Sequence, residues 1–505
     1  MFLSKAQYLS LCKSCDDILN DEPHVERISI SWLHIIREHP VFLDQYKQLF
    51  ITGLSSFGHF LIRYRKGLIY HTKIVLHLIR SIFYNKSYFY QSGQIEENID
   101  FFFISHCIST SNAGAADDFY FDKVIPELKA KGYNVVVGLV NHTGANEHKL
   151  SLKWENSPSP RIIFSRTLNF WSEVKFYMAL LRQSWKIKKR GSNLRADYFQ
   201  YQLHQYAALE AFAGNSLSTL RRYHQVFEFI RLYQPKNLIT TYEGHAWERL
   251  AFAAARKANP QIICKAYQHA ALFKLQHAIC RNLAVGFNPD QILVSGQNSY
   301  ERMIAERRLQ NIPVQILGSN RGNNGLIGNE IPRILENKNA AIHVLVVPEG
   351  ITEECMLLFE YALIQAIQNP DISFVWRLHP LISRSELVKK NRKFNDLPPN
   401  IRWSGKGENI TDVPYTHVLY RGTTMVIQAV LNGLQPVYLE RQSEMTIDLL
   451  YETNEFKVIA NNQLDLKNQI SDLLAQNSEN LENSFSRLRA YCLNYYSSFN
   501  STILG

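Results

Sequence analysis

Residues 321–350 read RGNNGLIGNEIPRILENKNAAIHVLVVPEG. Gly and Asn crowd positions 321–339, which reads as a linker. At Ile342–Val347 an apolar run sets in, and Pro348-Glu349-Gly350 ends it. A run that is apolar on both faces suits a strand of a parallel sheet covered by helices. Segments of the same kind recur on both sides. Upstream they are Phe101–Ser105, Asn134–Val140, Arg161–Ser165, Asn237–Tyr242, Ile262–Tyr267, Gln291–Ser295 and Val314–Gly318. Downstream they are Phe374–Leu378, Ile401–Trp403, His417–Tyr420, Pro436–Leu439 and Lys457–Ile459. Helix-like stretches separate them. Two such series with a pause between predict an α/β chain of two Rossmann-like, doubly wound domains, at residues 96–330 and 338–480. A helical, basic region at 1–95 precedes them and a C-terminal helix at 481–505 follows. Ligands of such sheets bind beyond the carboxyl ends of the strands, here in the cleft between the domains.

Composition agrees with a folded chain of more than one core. The 505 residues are 46% apolar and 20% charged, with 55 Lys+Arg against 45 Asp+Glu for a formal charge of +10. That balance excludes disorder over most of the length, and 23 Gly and 17 Pro exclude collagenous or low-complexity structure. Seven scattered cysteines point to a reducing, cytoplasmic setting, and Cys12-x-x-Cys15 has no second pair to complete a zinc site. The N-terminus has no signal-peptide pattern, and no run is long enough to predict a transmembrane helix.

From Gln45 to Ile95 there is no acidic residue. Lys47, Arg63, Arg65, Lys66, Lys73, Arg80 and Lys86 are interleaved there with Phe57, Phe60, Leu61, Leu68, Ile69, Ile74, Val75, Leu78, Ile79, Ile82 and Phe83. Such a segment can lie on an anionic membrane surface and hold the chain peripheral to the inner membrane. The other reading is a helical subdomain packed on the main body with its basic face solvated. No nucleic-acid-binding motif occurs, so nucleic acid is not an expected partner.

The residues just past each strand narrow the chemistry. Tyr242-Glu243-Gly244 follows NLITT. Glu243 is a candidate general base or a helix cap, and Gly244 would let the chain turn closely beside a substrate. Glu248 stands where it can hydrogen-bond a ligand or position its neighbours. Gln268-His269 either contacts ligand or satisfies a loop. Glu349 is placed to bind ribose hydroxyls or to cap the helix that Gly350 opens. In Trp376-Arg377-Leu378-His379-Pro380, Pro380 holds His379 extended for phosphate binding or proton donation, with Arg377 on the same face. Arg421-Gly422-Thr423-Thr424, ahead of a helix, reads as an anion cradle or an ordinary Thr N-cap. There is no Asp-x-Asp and no P-loop, and the spacing from Gly318 to Gly325 is wrong for a dinucleotide fingerprint. A metal-independent, nucleotide-linked transfer fits these residues.

The order of these motifs resembles the bacterial sialyltransferase and polysialyltransferase group of GT-B glycosyltransferases. That group has an acidic-Gly motif, then His-Pro, then a Ser/Thr pair, matched here by Glu243-Gly244, His379-Pro380 and Thr423-Thr424. Residues 100–460 also resemble surface-carbohydrate biosynthesis proteins, through Tyr242-Glu243-Gly244, Glu248-Arg249 and Tyr267-Gln268-His269. Tyr242 stands where the group has the first of an acidic pair. Gln428 stands where many GT-B enzymes place Glu, which points away from a UDP-hexose donor.

The resemblance implies an inverting transferase with Glu243 as base and His379 on the leaving nucleotide. Thr423, Thr424 and Arg377 or Arg421 would hold the phosphate, and Glu349 the ribose or base. It implies a CMP-activated ulosonic acid as donor (sialic-acid-like, pseudaminic, legionaminic or Kdo), a surface-polysaccharide glycan as acceptor, and no cofactor beyond the donor. The rivals are a transferase using a nucleotide-diphosphate sugar or CDP-glycerol, a UDP-sugar 2-epimerase, and a non-catalytic scaffold in polysaccharide assembly.

Overall fold

The computed structural model describes residues 3–51, 56–83, 86–90, 95–96, 98–115, 117–154, 159–309, 311–322, 331–336, 341–380, 382–405, 407–461 and 465–505. The first sheet contains β1 (Tyr88–Tyr90), β2 (Phe101–Cys107), β3 (Val135–Asn141), β4 (Arg161–Phe164), β5 (Asn237–Thr241), β6 (Ile263–Gln268), β7 (Gln291–Val294) and β8 (Val314–Ile316). Their order is β1-β4-β3-β2-β5-β6-β7-β8. The second contains β9 (His343–Val347), β10 (Ser373–Trp376), β11 (Ile401–Trp403), β12 (His417–Tyr420), β13 (Gln435–Leu439) and β14 (Val458–Ala460). Its order is β11-β10-β9-β12-β13-β14, and every pair is parallel. The chain is therefore α/β with two doubly wound domains, as the strand pattern predicts. β1 alone is unpredicted. It adds antiparallel to the edge of the first sheet, Tyr88 opposite Phe164, and its three residues are too few to show a period.

Both faces of each sheet are covered, so the strands read as continuous apolar runs. Along β2 and β3, Phe102, Ile104 and Val136 enter one core layer while Phe101, Phe103, Val135 and Val137 enter the other. Along β9, Val344 and Val346 point one way, Leu345 and Val347 the other.

Strand order reverses beside the first parallel strand of each sheet. In the first sheet β3 and β4 extend one side of β2, and β5 to β8 the other. In the second, β10 and β11 extend one side of β9, and β12 to β14 the other. At such a point successive connections leave in opposite directions and open a crevice at the carboxyl ends. Tyr242-Glu243-Gly244 follows β5, Pro348-Glu349-Gly350 follows β9, and Arg421–Thr424 follows β12. Three of the motifs thus stand at the two reversal points.

A separate helical core flanks the first sheet. Lys5–Asn20 and Ser56–Phe83 pack there with three helices that intervene between β4 and β5, namely Phe170–Ser192, Tyr198–Glu210 and Gly214–Tyr233. Leu11, Ile74, Leu180, Leu203 and Tyr206 are buried between them, as are the free thiols Cys12 and Cys15. Local periodicity gives no notice of this pairing, because the partners are distant in sequence. Arg63, for example, donates to Gln202 at 2.8 Å across 139 residues.

Of the linker, residues 323–330 and 337–340 lie outside the described residues. The helix Arg333–Glu336 belongs to the second domain, with Ile334 in its core. At the other end, helix Ser478–Leu493 buries Leu481, Phe485 and Leu488 in that domain. The chain then returns to the first domain. Ser497 N–H donates to the Ser295 carbonyl at 2.9 Å, and Lys265 Nζ to the Leu504 carbonyl at 3.0 Å. The segment read as one helix over 481–505 is thus a helix to Leu493 and, past it, a strap.

Candidate active site

Tyr242 is fully buried, and its hydroxyl donates to the Ile279 carbonyl at 2.8 Å. The chain then turns into the crevice at Glu243. The Glu243 side chain is 16% exposed, with His245 Nε2 and His269 Nε2 each 3.6 Å from one of its oxygens. Burial alone would push this carboxyl up. The nearby His245 imidazole, with the charges of His269 and Arg37, outweighs it and holds Glu243 well below the usual carboxylate range. At His245 burial is likewise outweighed, here by Glu243 and Glu248, and the imidazole pKa rises. An ionised carboxylate beside an imidazole poised to take a proton is acid–base machinery.

Three neighbours expected to meet substrate do structural work instead. Glu248 is 1% exposed, and its carboxylate accepts the N–H groups of Glu243 at 3.0 Å and of Gly244 and His245 at 2.8 Å. It completes the capping box of helix Ala246–Ala258 and so fixes the turn that carries Glu243. Burial and the Glu243 charge prevail over His245 and these donors, raising Glu248 to about 7. Gly244, at φ 86°, backs onto the protein's own chain, where a Cβ would lie 2.3 Å from the Ala278 carbonyl carbon. Gln268 is 1% exposed, with its amide donating to the Ala270 carbonyl. Of its pair only His269 reaches the crevice.

In the second domain a pocket of about 760 Å³ opens at the strand ends, lined by Pro348, Arg377, His379, Pro380, Trp403 and Thr423 among others. Its size suits a nucleotide-sized ligand. His379 lies against Gly350, where a Cβ would be 2.6 Å from the imidazole Cε1. We expect Gly350→Ala to displace this ring and weaken nucleotide binding about tenfold, roughly 1.4 kcal/mol. Titration calorimetry checks this, and unchanged affinity would mean that the ring does not touch the ligand. Burial lowers the His379 pKa, so near neutrality the ring is uncharged and offers an N–H hydrogen bond.

Arg421 is not a ligand residue. It is 0% exposed and donates to Glu354 at 2.7 Å, to Glu444 at 2.6 Å and to the Leu439 carbonyl at 2.6 Å. Glu349 is turned away from the pocket toward Arg37, whose Nη1 donates to it at 2.8 Å, and it packs beside Gly422. Burial, with Glu354 nearby, pushes Glu349 up to about 7 against the pull of Arg37. Gln428 is exposed and is not among the residues that line this pocket.

Two arginines that strand-end reasoning missed join the halves of the crevice. Arg37, from the N-terminal region, holds Glu349, and its charge also acts on Glu243 and His245. Arg321, inside the expected linker, donates to Thr424 Oγ1 at 3.1 Å, and its charge acts on His269 and Tyr120. His106 is a third omission. It stands near the end of β2, with Nε2 2.9 Å from Thr241 Oγ1 and Nδ1 2.9 Å from His142. The rule that singled out Glu243 would have found His106, whereas nothing local marks Arg37.

No family model and no curated protein sequence matches this chain. Among solved structures it is similar to the glycotransferase of kitacinnamycin, at 11% identity and TM-score 0.44, over 80% of this chain and 97% of that one. It is similar to a glycosyltransferase from Rickettsia africae, at 12% identity and TM-score 0.43, over 80% and 95% of the two chains. A third likeness is to the UDP-GlcNAc 2-epimerase from Methanocaldococcus jannaschii, at 10% identity and TM-score 0.42, over 78% and 99%. Likenesses of this strength carry no argument about activity, which has to rest on the residues of the crevice.

Proposed function

We propose that the chain is an inverting GT-B glycosyltransferase that moves a CMP-activated ulosonic acid onto a glycan acceptor. The observation that carries this reading is the crevice itself. An ionised Glu243 between two imidazoles stands on one side, a His379-lined pocket on the other, and Arg37 and Arg321 reach across.

In the reaction, Glu243 with His245 takes the acceptor hydroxyl proton as that oxygen attacks the anomeric carbon. The bond from that carbon to the phosphate oxygen breaks, and its electron pair leaves with CMP. Attack opposite the leaving group inverts the centre. The His379 N–H, the Thr423 hydroxyl and Arg321 stabilise the departing phosphate. Arg37 keeps a third of its side chain exposed beside Glu349, so it can also pair with the carboxylate that distinguishes an ulosonic acid from an ordinary hexose.

One observation favours a second reading, a UDP-sugar 2-epimerase. Glu243 and Glu349 are two carboxyls of one crevice pushed in opposite directions, a pattern suited to paired acid and base. Thermal unfolding with CMP, CDP and UDP separates the two. A ligand at a hundred times its Kd stabilises the fold by about 2.7 kcal/mol. Protection by CMP or CDP over UDP is the result expected here. Protection by UDP alone would favour the epimerase or a UDP-sugar transferase, and indifference to all three would favour a scaffold.

A further inference from the structure

Helix Ser56–Phe83 is apolar on the wrong side for a helix merely packed on a domain. Its inner stripe includes Tyr70, His71 and Ile74, with Tyr70 donating to Glu210 at 2.8 Å and His71 Nδ1 2.6 Å from the Tyr177 hydroxyl. The opposite side is apolar too, since Leu61, Leu68, Val75, Leu76, Ile79 and Phe83 are between 48% and 77% exposed. An amphipathic helix whose outer face is simply solvated is polar there, so a solvated basic face does not account for this one. The charged residues of this helix, Arg63, Arg65, Lys66, Lys73 and Arg80, are all bases, within a stretch that has no acid from Gln45 to Ile95.

The neighbouring helix Phe170–Ser192, which meets the first at Tyr177, carries a second stripe. Trp171, Lys175, Met178, Arg182, Trp185 and Lys189 recur at intervals of four and three, so they share one helix face. All six are exposed, Trp171 by 76% and Trp185 by 62%. Lys189 Nζ lies 5.3 Å over the Trp185 ring. The single acid of this helix, Glu173, is buried against Arg221.

We infer that these two helices form a docking surface for an anionic lipid bilayer. They would lie in the plane of one leaflet, apolar groups at the headgroup boundary and bases against anionic headgroups. Tryptophans interleaved with lysine and arginine suit that boundary. Charge selects the occupant, because a second copy of the chain would set base against base. The surface takes in part of the segment singled out in the sequence and adds residues 171–189 to it, while Ile74 and Leu78 belong to the protein core. No described helix is long and apolar enough to cross a membrane.

The test is co-sedimentation of the full-length chain with phosphatidylcholine vesicles, with and without phosphatidylglycerol. Binding is expected only with phosphatidylglycerol, together with a blue shift of tryptophan emission that Trp171→Phe/Trp185→Phe diminishes. It should be lost in about 1 M salt, where the Debye length is only about 3 Å. Lys175→Gln/Lys189→Gln should lower the partition coefficient about fivefold per base removed. Leu68→Gln/Ile79→Gln should abolish binding with the thermal unfolding curve unchanged. The inference is overturned if the protein stays in the supernatant with both vesicle types, or if neither pair of substitutions alters binding. It is also overturned if sedimentation velocity finds a dimer that Leu68→Gln/Ile79→Gln splits, since the face would then belong to a second copy.

Discussion

Glu243→Gln is expected to lower the rate of transfer by about 10²- to 10⁴-fold, the usual contribution of a positioned base, and to leave nucleotide affinity as it is. The amide keeps the shape of the side chain but does not accept the proton. Only the chemical step should suffer, so kcat falls while the donor Kd stays constant. The protonation state adds a second signature. Because its neighbours hold Glu243 well below the usual carboxylate range, protonation of this base should cause no loss of rate between about pH 7 and pH 5. The accompanying imidazole should titrate lower in Glu243→Gln, since it loses the contact that raises it. Single-turnover rates with calorimetric donor binding decide the matter. Near-normal turnover in the variant would remove Glu243 from the reaction.

Arg421→Met should cost roughly 3–5 kcal/mol of stability, the range for breaking a buried ion pair from one side. The guanidinium satisfies Glu354 and Glu444, each only 3% exposed at the side chain, and without it two carboxylates are left in the interior. Thermal unfolding reads this directly. Neutralising the partners as well, in Arg421→Met/Glu354→Gln/Glu444→Gln, should recover part of the loss, because the penalty belongs to the unpaired charges. A variant with unchanged stability and lost donor affinity would return Arg421 to the ligand site.

Those two residues mark how far the sequence could be read. Where the signal is a covered strand, it is legible. Ile401–Trp403 and His417–Tyr420 have the bounds their apolar runs predict, and the other predicted strands differ by a residue or two at their ends. Position past a strand is legible as well, because the reversal points of the two sheets fall beside β5, β9 and β12. The direction of a side chain is not. Arg421 and Thr423 are two residues apart, yet one is sealed inside and the other lines the pocket. Glu248, expected either to hydrogen-bond a ligand or to position its neighbours, does the second, because three backbone N–H groups donate to it. Contacts across the crevice leave no local trace either. Arg37 stands 312 residues from Glu349, and Arg321 stands 103 from Thr424.

The helical core shows the same limit from another side. The basic character of residues 45–95 is visible in the sequence, but the second helix that shares the surface lies between β4 and β5, and only the fold brings Tyr177 to His71. Alternation of apolar and basic groups along Trp171–Lys189 has the period of any amphipathic helix, and what makes it informative is that the apolar members face outward.

Incubating the protein with individual CMP-activated ulosonic acids, and following donor loss by mass spectrometry, decides whether the crevice cleaves such a donor. CMP is expected to be released from at least one of them by the native protein and not by Glu243→Gln, although both bind CMP. Intact donors throughout, in the presence of conversion of a UDP-sugar to its 2-epimer, would contradict it.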